Sequence, residues 1–475
     1  MPVPGGTREG HHNPEKTMRD DTIVAVATPL GVGAIGIVRL SGRDAIRIAS
    51  RLFHARSGRQ PEEFQSFRMY LGEVCDPKTG RPLDEALCVV MRAPKSYTRE
   101  DVVEFHLHGG PLLVRKVLDL CLEEGARLAR PGEFTERAFL NGRIDLLQAE
   151  AVAILVRARS EKVLELSLRH LSGAFGEKVR RWKECLVLVG AYLVASCDFP
   201  DVPIDDVVGF VRQNLRLLSE EIRRELVQSN RLRPLEEGTL VVIVGKPNVG
   251  KSSLLNLLVG KDRAIVTPFP GTTRDAIEEP VLLEGLPFRF VDTAGIRESE
   301  DPVERMGVER AKAYLKRADF VIAVFDRSQP LEAEDWELAR SIRGRPHLVV
   351  LNKSDLPPRL SREELERLYP GETILEVSAL TGEGKEALLR ALVEYVQNSV
   401  GPEEDLVLLT ARQREELTGI LGSLEEALKA LEGEASLDVV GVLVDEALLG
   451  MKRLTGEAVD EEVLRALFSQ FCIGK

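Results

Sequence analysis

The chain has 475 residues, is 44% hydrophobic and carries a formal net charge of −12. That length exceeds what one core supports and implies about three domains. The acidic balance excludes a broad cationic nucleic-acid surface and leaves only local basic patches for such contacts. Cys75, Cys88, Cys121, Cys185, Cys197 and Cys472 show no C-x-x-C pairing. With no signal peptide or long apolar span, they read as reduced thiols of a cytoplasmic protein without a membrane anchor.

Residues 1–19 mix Pro, Gly, paired His and scattered charge without an apolar period, and are expected to be a disordered tail. From 20 to 140, strand-like runs at Thr22–Ala27, Ala34–Leu40, Ala86–Met91 and Val102–Leu107 alternate with a few helices, the pattern of an α+β domain. Gly31, Gly33 and Gly36 match G-x-G-x-x-G, yet a dinucleotide fold needs a helix opening within those glycines. Here β-like Ile35–Leu40 follows and the first helix is expected only after Ser41, so the glycines read as a strand-to-strand turn. His106 and His108 share one strand face without the spaced Cys or carboxylates of a metal site, and read as core or hydrogen-bonded histidines.

Residues 141–235 switch to helical period, with Val211, Leu215, Leu218, Ile222 and Leu226 forming one apolar stripe. The stretch Arg231–Gly238 is expected to break that period. Residues 236–399 alternate strands and helices, and in 400–475 helical period resumes at Leu417, Leu421, Leu424, Leu428 and Leu431. The predicted architecture is multidomain: an α+β N-terminal domain, then an all-α helical domain interrupted by an inserted α/β P-loop domain.

The strand-like Thr239–Val244 feeds Gly245-Lys246-Pro247-Asn248-Val249-Gly250-Lys251-Ser252, and a helical run begins at Ser253. Turning glycines let backbone N–H groups wrap a polyphosphate, Lys251 neutralises its oxygens and the Ser252 hydroxyl suits Mg²⁺. Asp292-Thr293-Ala294-Gly295 closes a second strand beside the metal and γ-phosphate. Asn352-Lys353-Ser354-Asp355 closes another, and its Asp355 carboxylate matches the paired N–H donors of guanine. Adenine lacks them and would leave Asp355 unpaired, at a cost of about 1–3 kcal/mol. Ser378-Ala379-Leu380 adds backbone N–H for the guanine O6. With Thr273 between the first two boxes, the order is that of a small GTPase.

Ras-type enzymes place a glutamine after Asp-x-x-Gly to hold the attacking water. This chain has Ile296 there, so the polar group must come from elsewhere, with Glu298, Glu300, Asp301 and Glu304 the nearest acidic candidates. No arginine finger is evident. Asn248 offers a neutral carbonyl oxygen beside the phosphates, a donor suited to a monovalent cation that replaces the finger's charge.

Together with Arg130-Pro-Gly-Glu-Phe-Thr-Glu-Arg-Ala-Phe-Leu-Asn141, Gly271-Thr-Thr-Arg-Asp275 and Phe471-Cys-Ile-Gly-Lys475, these boxes make residues 20–475 resemble the tRNA modification GTPase MnmE (TrmE) family. The terminal Cys472-Ile-Gly-Lys475 is a poor prenylation box, with Gly and Lys at its last positions. The resemblance implies a tetrahydrofolate-binding, dimerising domain at 20–140, helical parts at 141–235 and 400–475, and a G domain at 236–399 activated when two copies meet across potassium. It implies K⁺ held by Asn248, Thr267, Phe269 and Thr272, and Mg²⁺ held by Ser252 and Thr273. Glu304 would orient water, with Lys251, Gly295 and Asn248 completing the catalytic set. Residues 248–253, Thr267, Thr272, Thr273, 292–295, Asn352, Lys353, Asp355 and 378–380 would bind GTP.

For the folate, in a 5-formyl or 5,10-methylene form, the resemblance implies Arg39, Glu104, Arg143 and Lys475; Arg143 stands where relatives can carry lysine, which keeps the charge and changes the reach. It further implies a homodimer that joins an MnmG-type FAD protein in a heterotetramer and modifies C5 of the tRNA wobble uridine. The alternative, a ribosome-assembly or RNA-binding switch GTPase, would append a KH-like module, and no lysine- and glycine-rich clamp loop stands outside the P-loop.

Overall fold

The computed structural model describes residues 21–29, 31–158, 160–198, 206–259, 278–292, 313–400, 406–433, 435–471 and 474. They fall into two compact units, residues 1–153, 176–180 and 448–475 in one, and 154–175 and 181–447 in the other.

The first unit is built on seven strands: β1 (Ile23–Val26), β2 (Ile35–Ser41), β3 (Phe53–Ala55), β4 (Met69–Cys75), β5 (Pro82–Met91), β6 (Val102–His108) and β7 (Arg127–Leu128). They lie in the order β3-β4-β5-β6-β2-β1-β7, and only the β1–β7 pair is parallel. The two-residue period turns Val103, Phe105 and Leu107 to one face. There they pack with Ile48 and Leu52 of the helix Ala45–Leu52 and with Val114 and Val117 of the helix Pro111–Glu123. Glu104 and His106 take the opposite face, and the register of β2 on β6 sets Arg39 directly across from Glu104.

Helix Glu133–Leu140 is pinned by charge. Glu133, 2% exposed, lies 2.6 Å from Arg127 and 3.3 Å from Arg137, and Arg137 also reaches Asp21 at 2.6 Å and Glu100 at 3.1 Å. Burial works against the Glu133 charge, but hydrogen bonds from Arg127 and the Arg130 amide and the neighbouring guanidinium charges more than reverse it, holding its pKa at about 2. Residues 461–471 and 474 complete this unit. Phe468, at the end of the helix Glu461–Phe468, lies 6.4 Å from Phe139 and 5.3 Å from Phe471, ring centre to ring centre. Gly474 has φ +94°, and a Cβ there would strike the Val26 carbonyl oxygen, so only glycine lets the backbone come this close to β1.

In the second unit, β8 (Thr239–Val244), β9 (Glu278–Leu283), β10 (Leu286–Asp292), β11 (Phe320–Asp326), β12 (His347–Asn352) and β13 (Ile374–Val377) form a sheet of order β13-β12-β11-β8-β10-β9, parallel except for β9. β8 and β11 are buried throughout, as expected of a parallel sheet covered on both faces. Val241 and Ile243 enter one core with Leu254, Leu258 and Leu388, while Leu240 and Val242 enter another with Ile342 and Leu365. The shared direction brings the C-terminal ends of five strands to one edge, where such sheets bind ligands. Helices Val207–Glu237 and Ala411–Glu432 run antiparallel, with Arg216 paired to Glu432 at 3.2 Å and Arg223 to Glu425 at 2.5 Å.

Two sequence expectations are corrected. Arg231–Gly238 does not break the helical period, because the helix continues through Pro234 to Glu237. Proline forfeits one backbone hydrogen bond, but Leu232 and Leu235 on the same turn are buried in the core with Val241 and Phe288, which offsets the loss. The buried stripe also passes from Ile222 to Glu225, Ser229 and Leu232, leaving Leu226 only half-buried. On the later helix Leu417, Leu424 and Leu431 are buried, joined by Ile420 and Ala427, whereas Leu421 and Leu428 flank the stripe. Gly31 and Gly33 do lie in the connection between two antiparallel strands, with Gly36 already inside β2, and the next helix opens at Ala45. The tail 1–19 lies outside the described residues.

Candidate functional site

The loop after β8 is shaped by backbone conformations that few residues adopt. Asn248 has φ +65° and Gly250 φ +98°, and a Cβ on Gly250 would collide with the Asn352 amide nitrogen. That amide is the keystone of the edge. Asn352, 1% exposed, donates from Nδ2 to the Val249 carbonyl at 2.8 Å and accepts the Ala379 N–H on Oδ1 at 3.0 Å, joining the P-loop to the 378–380 loop. Lys251 is buried, and its Nζ donates to the carbonyls of Gly245 at 3.0 Å and Lys246 at 2.7 Å. Ser252 and Ser253 stand exposed in the first turn of the helix Lys251–Val259, whose N-terminus adds positive potential.

On the base side, Ser378 donates its hydroxyl to Asp355 Oδ1 at 2.5 Å and accepts the Thr381 N–H at 3.1 Å, so the carboxylate is aimed by the loop beside it. Leu380 is exposed. Lys353, at φ +64°, donates to Asp326 Oδ2 at 2.6 Å. Asp326 ends β11 and takes the Ser328 N–H and hydroxyl on its other oxygen at 2.8 and 2.7 Å. Burial would raise its pKa, but the bonds from Lys353 and Ser328 prevail and hold it below the usual carboxylate range. Sequence reading missed Asp326; its only signal is a carboxylate ending the apolar run Phe320–Phe325. Asp292 ends β10 opposite Ile243 of β8, next to the loop. Thr267, Phe269, Thr272, Thr273, Thr293, Ala294, Gly295 and Glu304 lie outside the described residues, as do Cys472 and Lys475.

In the first unit, Arg39 donates from Nε to Glu104 Oε1 at 2.7 Å and from its terminal nitrogen to the Gly474 carbonyl at 3.2 Å, and its guanidinium lies 5.7 Å from the Phe134 ring centre. His106 Nε2 meets the other Glu104 oxygen at 3.1 Å. Burial raises the Glu104 pKa, but His106 and Arg39 together lower it by more. Arg143 is exposed, donates to the Ser96 carbonyl at 3.0 Å and covers the Tyr97 ring at 4.9 Å. Tyr97 packs on the small core containing Phe134, so both cations rest on connected aromatic surface. His108 donates its backbone N–H to Asp84 Oδ2 at 2.9 Å and pairs its ring Nδ1 with Asp84 Oδ1 at 2.7 Å. Phe134 and Tyr97 are further residues that sequence reading did not mark as part of this site.

A parallel sheet whose strand ends carry a phosphate loop with a buried lysine, and an Asn-Lys-x-Asp loop aimed by a serine, defines a P-loop GTPase. Family models described as "GTP-binding protein TrmE N-terminus" and "MnmE helical domain" match residues 22–143 and 146–472. A tRNA modification GTPase MnmE from Heliobacterium modesticaldum is 45% identical over 468 residues, covering 96% of this chain and 100% of that protein. Those of Geobacillus kaustophilus and Thermotoga petrophila are each 42% identical, covering 96% of this chain and 99% and 100% of theirs. Among solved structures, the G domain of the T. maritima FeoB iron transporter is 30% identical, covering 34% of this chain and 99% of that one at a TM-score of 0.26. The chain belongs to the tRNA modification GTPase MnmE family, and its activity is GTP hydrolysis in tRNA modification. No described helix is long and apolar enough to cross a membrane.

Proposed function

We propose that this chain is a dimerising, potassium-stimulated cytoplasmic GTPase that works with an MnmG-type FAD protein on C5 of the tRNA wobble uridine, installing an aminomethyl or carboxymethylaminomethyl group with a one-carbon unit from a tetrahydrofolate derivative. The observation that carries the reading is the triple contact of Arg39 with Glu104, Phe134 and Gly474. It brings residue 474 onto the pair that the family resemblance assigns to folate, with Lys475 next in the chain. The chemistry fits: a carboxylate accepts from the donor edge of a pterin, and Arg39, Arg143 and Lys475 meet glutamyl carboxylates. Residues 20–140 would then be the folate-binding and dimerising domain, 236–399 the G domain, and 141–235 with 400–475 the helical domain.

At the phosphates, Asn248 presents a neutral amide on an exposed turn, a donor type that fits a monovalent ion. It would hold K⁺ with Thr267, Phe269 and Thr272, and Ser252 with Thr273 would hold Mg²⁺. These ions supply, when bound, the positive charge that other GTPases take from an arginine. Lys251 and the loop amides bind the phosphate oxygens, Asp355 and the Ala379 and Leu380 amides fix guanine, and Glu304 orients the water.

Titration of the full chain with 5-formyltetrahydrofolate tests the reading: Arg39→Ala should weaken binding at least about 10-fold, the scale of one lost charge-assisted contact, and unchanged affinity would remove Arg39 from the site. GTP turnover should be faster in K⁺ than in Na⁺, with Asn248→Ala abolishing the difference while binding persists; equal rates for the parent in both salts would refute the cation role. Glu304→Ala should slow single turnover at unchanged GTP affinity. Mass analysis of wobble nucleosides from cells lacking the chain tests the tRNA reaction itself.

A further inference from the structure

The side chain of Lys246, the second residue of the P-loop, is used by none of the roles above. Its side chain is only 12% exposed, and its Nζ lies 2.8 Å from Asp335 and 2.9 Å from Glu332. Asp335 is 2% exposed and fixed from its own side, because its Oδ2 accepts the Glu332 N–H at 2.9 Å in the capping box that opens the helix Ala333–Ile342. Burial disfavours the Lys246 ammonium, yet the hydrogen bonds and charges of Asp335 and Glu332 outweigh it and raise the pKa, so the lysine stays charged. With two carboxylates on it, this ammonium brings no uncompensated charge to the nucleotide. Its main chain, however, supplies one of the two carbonyls that hold Lys251.

We propose that Asp335 is a positioning residue for triphosphate binding: by gripping Lys246 it anchors the first turn of the P-loop to a rigid helix and so presets the carbonyls that aim Lys251. The base side has its own clamp, Asp326 on Lys353, on the same β11–helix connection. The two clamps therefore act on opposite ends of the nucleotide and separate in experiment.

The test is dissociation of fluorescent GDP and of a non-hydrolysable GTP analogue from the full chain, followed by stopped flow, with melting temperature measured in parallel. Asp335→Asn and Lys246→Met should each speed release about 10-fold, the scale of one charge-assisted bond, and the double variant should be no faster than either single one. Lys246→Arg should stay within about 2-fold of the parent, since it keeps the pair. The GDP-to-IDP affinity ratio should not move. Additive single effects, parental rates in Lys246→Met, or a shifted base preference would each overturn the proposal. If Asp335→Asn fails to fold, the Lys246→Met and Lys246→Arg rates decide alone.

Discussion

At the nucleotide loop most of the fixed geometry is main chain: Asn248 and Gly250 at positive φ, and carbonyls of Val249, Gly245 and Lys246 engaged by Asn352 and Lys251. Around Arg39 the balance is reversed. A carboxylate, an aromatic ring and one carbonyl, drawn from residues 104, 134 and 474, converge on one guanidinium. The first construction is set mostly by the backbone of a short contiguous motif, with Asn352 the distant residue that fastens it. The second exists only once distant segments have folded together, so its weak points are buried charges rather than backbone angles.

That contrast predicts different fragilities. The largest effect should follow deletion of a charge in the first unit: Glu133→Gln leaves Arg127 and Arg137 short of a buried partner and should cost about 3–5 kcal/mol in urea unfolding. Its pH signature has a definite sign. The folded pKa of about 2 lies below the ordinary 4.5, so the contribution is complete above pH 4.5 and disappears as pH falls towards 2. The parent should lose stability across that window more steeply than the variant; parallel curves would contradict the network. Next, Gly250→Ala should weaken GTP binding about 100-fold, since positive-φ strain of about 1–3 kcal/mol adds to the collision with Asn352. A titration within a few-fold of the parent would show that the loop yields.

Asp355→Asn removes the acceptor charge and should cost about 1.5–3 kcal/mol for GTP but little for a nucleotide without the guanine N2 donor, which competition binding resolves. The smallest change is Arg39→Lys, which keeps a charge for Glu104 and loses the fork that also reaches Gly474. About 1 kcal/mol or less of stability is expected. An effect as large as that of Glu133→Gln would make the tail contact a principal support of the unit.

Legibility in the sequence followed the same divide. Lys251, Asn352, Asp355 and Ser378 were readable because each lies in a short motif that follows or closes an apolar strand, where neighbours in sequence are neighbours at the edge of the sheet. Asp326 also ends such a strand, but its partner Lys353 lies 27 residues on, and a lone carboxylate carries no motif. Arg39 and Glu104 are 65 residues apart and become a pair only through the register of β2 on β6, so resemblance rather than spacing pointed to them. Strand β4 escaped because exposed Met69 and Leu71 fill the solvent-facing positions and blur the alternation with buried Tyr70 and Val74. At Arg231–Gly238 proline suggested an interruption that the packing of Leu232 and Leu235 overrides.

Asn352 ties together two loops that are far apart in the chain. One side-chain amide spans from the Val249 carbonyl to the Ala379 N–H, so the loop after β8 and the loop after β13 share a single hinge pin. Loss of that one amide would unfasten the P-loop from the 378–380 loop in a single step.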